Sequence, residues 1–244
     1  MVRFAGILAL CVAGLLSAPA KADVTVAVAS NFLTPVREIA ALFEAREGAH
    51  VRLVHGSTGL LFAQITHGAP FEVFLAADQH RPELLEADDR ALARASYAEG
   101  ILILVSRDDL PDDRADYAGI MRDRRVALAN PRLAPYGVAA MDGLNSLGLD
   151  ESSVQLVMGD NVGQAANIFV SGNADFGLLS ASQLIDLHKI DGSINAVEFQ
   201  TGTRILQDMV LLAGASPEAV EFFDFMASDA AQEVILRMGY RIPQ

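Results

Sequence analysis

Four times in this chain an apolar run gives way to small polar residues or a Pro-Tyr-Gly turn and then to a helical repeat. That alternation limits the fold more than any other feature. Val24-Thr-Val-Ala-Val28 has the pattern of a buried strand, and Ser30-Asn31 follows at once. Apolar residues then recur at Phe32, Val36, Ile39, Ala40 and Phe43, which is helical spacing. His55-Gly-Ser-Thr-Gly59 stands between the alternating run Ala49–Val54 and a second helical repeat, Leu60, Leu61, Gln64 and Ile65. Val126–Ala129 leads through Asn130-Pro-Arg-Leu-Ala-Pro-Tyr-Gly137 to Val138, Met141, Leu144 and Leu147. Gly159-Asp-Asn-Val-Gly-Gln164 opens the helix of Ala165, Ile168 and Phe169. Strands that alternate with helices imply an α/β fold with mostly parallel sheets covered by helices.

Each turn has two meanings. Ser and Asn are ordinary N-caps, and a Gly-Ser-Thr-Gly turn is an ordinary tight turn. A helix start also leaves N–H groups without partners and a partial positive charge, so it can hold an anion. In open α/β sheets, ligands sit outside the carboxyl ends of the strands. The candidate donors lie in the four turns: Ser30-Asn31, Ser57-Thr58, Tyr136 and Asn161-Val162. Apart from Arg132 beside one turn, none of these turns contains Lys or Arg. Neutral donors from two lobes suit a fully deprotonated oxyanion held by hydrogen bonds.

The first residues have the form of a cleaved secretory signal: Arg3, the apolar run Phe4–Leu16, then Ala20-Lys21-Ala22. The mature chain is expected to run from Asp23 to Gln244. The one cysteine, Cys11, lies inside the apolar run, so neither disulfides nor thiol chemistry are expected after cleavage. Without Arg3 and Lys21 the 18 basic residues fall to 16 against 31 acidic ones, a net charge of −15. That balance argues against nucleic acid and anionic membranes. It leaves a local anion site open, because distant surface charge is screened within about 8 Å at physiological salt.

Further along, the first helix stops at Gly48, Phe71–Ala77 reads as a strand, and Asp78 is placed to cap a helix near Arg81-Pro82. Leu84–Ala98 reads as mostly helical. Gly100–Val105 reads as a fully buried strand and Arg204–Ala213 as a long one. Ser216-Pro217 and Asp229–Met238 mark the last two helices. No G-x-S-x-G or H-E-x-x-H occurs, and His50, His55, His67, His80 and His188 are scattered without metal-ligand spacing. Catalytic residues and a metal site are therefore not expected.

Five segments together resemble the periplasmic molybdate-binding (ModA) family, the solute-binding component of an ABC importer. They are Ala27–Phe32, Gly56–Gly59, Gly68-Ala-Pro70 with Ala76-Ala-Asp78, Asn130–Gly137 and Asn161–Gln164. The resemblance covers essentially the whole mature chain. It implies a two-lobed periplasmic binding protein fold of type II, with two crossovers and the anion in the cleft. Lobe I is then 23–101 plus 205–244, and lobe II is 102–204. It also implies ligands from Ser30 and Asn31, from Thr58, from Tyr136 with its backbone, and from the N–H of Val162. Molybdate and tungstate are the expected ligands, an inner-membrane ABC permease the partner, and a periplasmic monomer without cofactor the working form. Two positions depart from the family: Thr58 stands where it usually has Ser, and Ser180 stands where many members place a ligand Tyr. Ser180 is too short to reach the anion, and Tyr136 supplies an aromatic contact instead. Roles for His55 and Arg132 stay open. The rival readings are a site for sulfate, phosphate or a small organic anion, an enzyme, and a sensor docking to a membrane partner.

Overall fold

A computed structural model describes residues 23–243; the expected signal segment, 1–22, lies outside them. In chain order the first elements are β1 (Val24–Ala29), a 3-10 turn (Ser30–Phe32), α1 (Leu33–Glu47), β2 (Val51–Gly56) and α2 (Thr58–Thr66). Then come β3 (Val73–Leu75), α3 (His80–Ala87), β4 (Ala91–Gly100), β5 (Leu102–Ser106), α4 (Tyr117–Met121) and β6 (Arg125–Ala129). α5 (Pro135–Ser146), β7 (Gln155–Gly159), α6 (Val162–Val170), β8 (Phe176–Ser180), α7 (Leu184–Ile190) and β9 (Asn195–Glu198) follow. β10 (Ile205–Leu212), α8 (Pro217–Phe225) and α9 (Asp229–Arg237) complete the described chain.

The strands form two five-stranded sheets, ordered β2-β1-β3-β10-β4 and β7-β6-β8-β5-β9. Both are mixed. β1 runs parallel to β2 and β3, and β6 parallel to β7 and β8. β10 lies antiparallel to β3 and β4, and β5 antiparallel to β8 and β9. The chain crosses from the first sheet to the second between Gly100 and Leu102. It returns between Glu198 and Ile205.

Strand periodicity explains the cores. Val24, Val26 and Val28 face a core shared with Phe32, Phe43, Phe222 and Ile235. Ala27, one residue out of phase, faces Leu61, Phe74 and Leu85. Both faces of β1 are thus covered, which accounts for its nearly unbroken apolar run. In the second domain α6 buries Val162, Ala165, Ala166 and Phe169, the i, i+3, i+4, i+7 stripe, in the core that holds β6.

One segment departs from the expectation. Helix ends at Ala87, and Ala91–Gly100, expected to be helical to Ala98, is a strand. Its four alanines favour a helix locally, but pairing with β10 over nearly its whole length decides the outcome. Arg94 in that strand reaches Asp208 of β10 at 2.5 Å.

Asp175 ties the start of β6 to the loop before β8. Burial alone would raise its pKa, but the Arg125 side chain and N–H, with Arg124, hold it at about 2 rather than 3.8. A depressed carboxylate pKa contributes stability above the unfolded value, lost as pH falls through the folded one. Melting temperatures of Asp175→Asn and the parent should therefore differ at neutral pH and converge between about pH 4 and pH 2. An undiminished gap at pH 2 would assign the effect to something other than this charge.

Candidate functional site

The four turns come together where the carboxyl ends of β1 and β2 face those of β6 and β7. Each is set by local chemistry. Ser57 caps α2, its Oγ accepting from Leu60 N–H, and Asn161 caps α6, its Oδ1 accepting from Gln164 N–H at 3.0 Å. Pro135 begins α5. The loop before it folds tightly enough that Gly137 permits no side chain. A Cβ there would stand 2.2 Å from the Ala129 carbonyl oxygen and 2.7 Å from Pro131 N.

Ser30 and Asn31 begin the 3-10 turn, Thr58 and Val162 are the first residues of their helices, and Tyr136 is the second of its own. The main-chain N–H groups at these positions have no partner within their helices. Thr58 Oγ1 accepts from Ala77 N–H at 3.2 Å, and Ser30 Oγ from Gly163 N–H at 3.4 Å. Each hydroxyl keeps its own proton to donate. Asn31 is 3% exposed, with Nδ2 2.9 Å from Gln207 Oε1 and 3.0 Å from the Tyr240 hydroxyl. The Tyr136 hydroxyl accepts from Ser180 Oγ at 2.9 Å. Burial first, and then the neighbouring Tyr240, push its pKa well above 10, so it stays neutral.

All seven candidate residues, Ser30, Asn31, Ser57, Thr58, Tyr136, Asn161 and Val162, line one small cavity. Ala29, Gly56, Ala77, Ala134 and Pro135 complete its wall, so no charged side chain reaches it. Its walls come from both domains. Gly59 N–H donates to the Leu133 carbonyl at 2.9 Å, Thr34 to Asp186 at 2.8 Å, and Ser182 to the Asn31 carbonyl at 2.7 Å. The two open questions and the nearby acid fall outside. His55 is exposed and lines an outer groove beside α1, Arg132 is exposed with its N–H on Asn130 Oδ1, and Asp160 is exposed. Ser180 stands behind Tyr136, bonded to it and to Ser182.

Sequence reading missed what lies behind the cavity. Gln207, Tyr97, Tyr240 and Ser182 form a buried polar cluster around Asn31. The available signal was Gln207-Asp208, two polar residues in the middle of an apolar strand. It also missed the ion pair of Asp78 with Arg81, whose Nη2 lies 3.2 Å from the Cβ position of Gly59, next to Thr58.

The arrangement suits a small anion: helix starts and hydroxyls converge, and nothing on the wall can exchange a proton near neutral pH. A family model described as bacterial extracellular solute-binding protein matches residues 24–241. The molybdate-binding protein ModA of Azotobacter vinelandii is 39% identical over 93% of this chain and 94% of its own length. That of Rhodobacter capsulatus is 38% identical over 97% and 95%. The solved structure of the Azotobacter vinelandii periplasmic molybdate-binding protein superposes with a TM-score of 0.82 at 33% identity. It covers 91% of this chain and 100% of that one. With fold, cleft and a match across nearly all its described length in accord, this chain belongs to the bacterial extracellular solute-binding proteins.

Proposed function

We propose that this chain binds molybdate, and tungstate with it, between its two domains and delivers the ion to an ABC permease. It works as a periplasmic monomer after loss of residues 1–22. The lobes are 23–101 with 205–244, and 102–204. The observation that carries this reading is the cavity wall, which offers many hydrogen-bond donors from both domains and no charged group.

Ser30 and Thr58 give hydroxyl protons, and Ser30, Asn31, Thr58, Tyr136 and Val162 give N–H groups. Ser57 and Asn161 hold the helix starts in place, and the Tyr136 ring closes one wall. A hydrogen bond to a charged acceptor contributes about 1.5–3 kcal/mol, and loss of the anion's hydration offsets much of the sum. Hydrogen phosphate would bring a proton that needs an acceptor, and no carboxylate lines the cavity. Sulfate has the same charge and shape as molybdate, so cavity size must separate them. Tungstate is close to molybdate in size and is bound as well. The function is binding rather than turnover.

Ser30→Ala and Thr58→Ala should each weaken molybdate binding about 10- to 100-fold, the loss of one charge-assisted bond. The melting temperature of the empty protein should barely move. Calorimetric titration checks this, and parent-like affinity in both variants would put the anion elsewhere.

A further inference from the structure

Gln207 is 0% exposed, and its Nε2 group, beside the Tyr136 hydroxyl, makes no hydrogen bond of good geometry. Its Oε1 meanwhile takes two donors, Asn31 Nδ2 at 2.9 Å and the Tyr97 hydroxyl at 3.0 Å. Tyr97 also faces the Ala76 carbonyl at 2.9 Å, so its single proton has two acceptors. A buried N–H pair without a partner is costly. Turning an amide by 180° exchanges its N and O ends and moves no other heavy atom.

Turning Gln207 and Asn31 together gives Nε2 its acceptors and leaves Tyr97 free to donate to Ala76; in exchange the one Tyr240 proton faces two oxygens of Asn31, the main-chain carbonyl at 2.8 Å and Oδ1. Nε2 of Gln207 then donates to Tyr97 and to Asn31 Oδ1. Tyr97 gives its proton to Ala76, and Tyr240 gives its own to Asn31 Oδ1. Ser182 keeps the Asn31 main-chain carbonyl, at 2.7 Å. Gln207 Oε1 comes to the position beside the Tyr136 hydroxyl, since both groups abut Gly100. The effect on the site is at Asn31, a cavity residue. Its carbonyl end is held from behind, and its NH2 end is left for the ligand.

We propose that Gln207 is the positioning residue of the anion site: it holds Asn31 by the carbonyl oxygen and so turns the donor end of that side chain to the anion. Gln suits this task because it both donates and accepts, while a carboxylate can only accept. In Gln207→Glu the carboxylate draws Asn31 Nδ2 to itself and leaves a carbonyl oxygen facing the anion.

This inference rests on the molybdate reading, and the experiment separates the two. Molybdate is titrated into the parent, Gln207→Glu and Gln207→Met at about pH 10, above the range of about 8–9 documented for buried glutamates. The side-chain 15N–1H signals of Asn31 are followed by NMR. The parent should bind with a clear shift of the Asn31 NH2 pair. Gln207→Glu should lose about 10- to 100-fold in affinity together with that shift. Gln207→Met, which holds neither end, should lose less. An unmoved Asn31 signal in a parent that binds molybdate overturns the positioning role and leaves the function intact. So does Gln207→Glu binding as tightly as the parent. A parent that does not bind molybdate removes both.

Discussion

Molybdate at a thousandfold excess over its dissociation constant should raise the melting temperature of this protein by about 8–16 °C. A ligand that binds only the folded state stabilises by about 4 kcal/mol at that excess. In a chain of this size each kcal/mol moves the midpoint by about 2–4 °C. Tungstate should act similarly. Sulfate at the same concentration should move the midpoint by no more than about 2 °C, equivalent to about 0.5–1 kcal/mol. The difference comes from fit. Hydrogen bonds between the domains, among them Gly59 to Leu133, Thr34 to Asp186, Ser182 to Asn31 and Gly163 to Ser30, resist movement of the cavity wall to suit a tetrahedron of another size. A donor left short of its oxygen contributes little and stays desolvated. Differential scanning fluorimetry with the three ions checks the expectation. Equal shifts from sulfate and molybdate would remove the substrate assignment and leave the fold as it is.

Gly100→Ala should weaken binding by about 5- to 150-fold, the equivalent of the roughly 1–3 kcal/mol that overpacking costs. Gly100 ends β4, just before the chain crosses to the second sheet. A Cβ there would stand 2.2 Å from the Tyr136 hydroxyl, 3.0 Å from its Cζ and 2.6 Å from Gln207 Nε2. Tyr136 is 1% exposed and has nowhere to withdraw. It belongs to the second domain and Gly100 to the first, so the added methyl pushes the domains apart at the cleft. The contact with Tyr136 lies between the domains and that with Gln207 within the first, so the empty protein should lose stability as well as affinity. Calorimetry and melting curves on the same variant separate the two effects. Parent-like affinity would show that the bound state does not need Tyr136 seated against Gly100.

How much of this was legible in the chain follows from distance along it. Ser57, Thr58, Asn161 and Val162 could be picked out because a helix cap is a local device, written in four or five adjacent residues. The apolar runs of β1, β5 and β10 were legible because burial on both faces leaves little polar residue in them. Ala91–Gly100 was not. Its alanines carry a helical preference, and the strand exists only because β10, more than 100 residues later, offers it a partner. The cluster of Gln207, Tyr240 and Ser182 behind Asn31 was equally invisible, since its members come from β10, the chain after α9 and the turn after β8.

The chain alone determined that strands alternate with helices and which helix starts carry free donors. Those properties depend on neighbours a few residues apart. Only the tertiary structure decided that four such starts share one cavity, that 31 acidic residues stay off its wall, and that a glutamine from a distant strand stands behind Asn31. Charge and hydrogen bonding at a site depend on distances through space, which packing sets and local sequence does not.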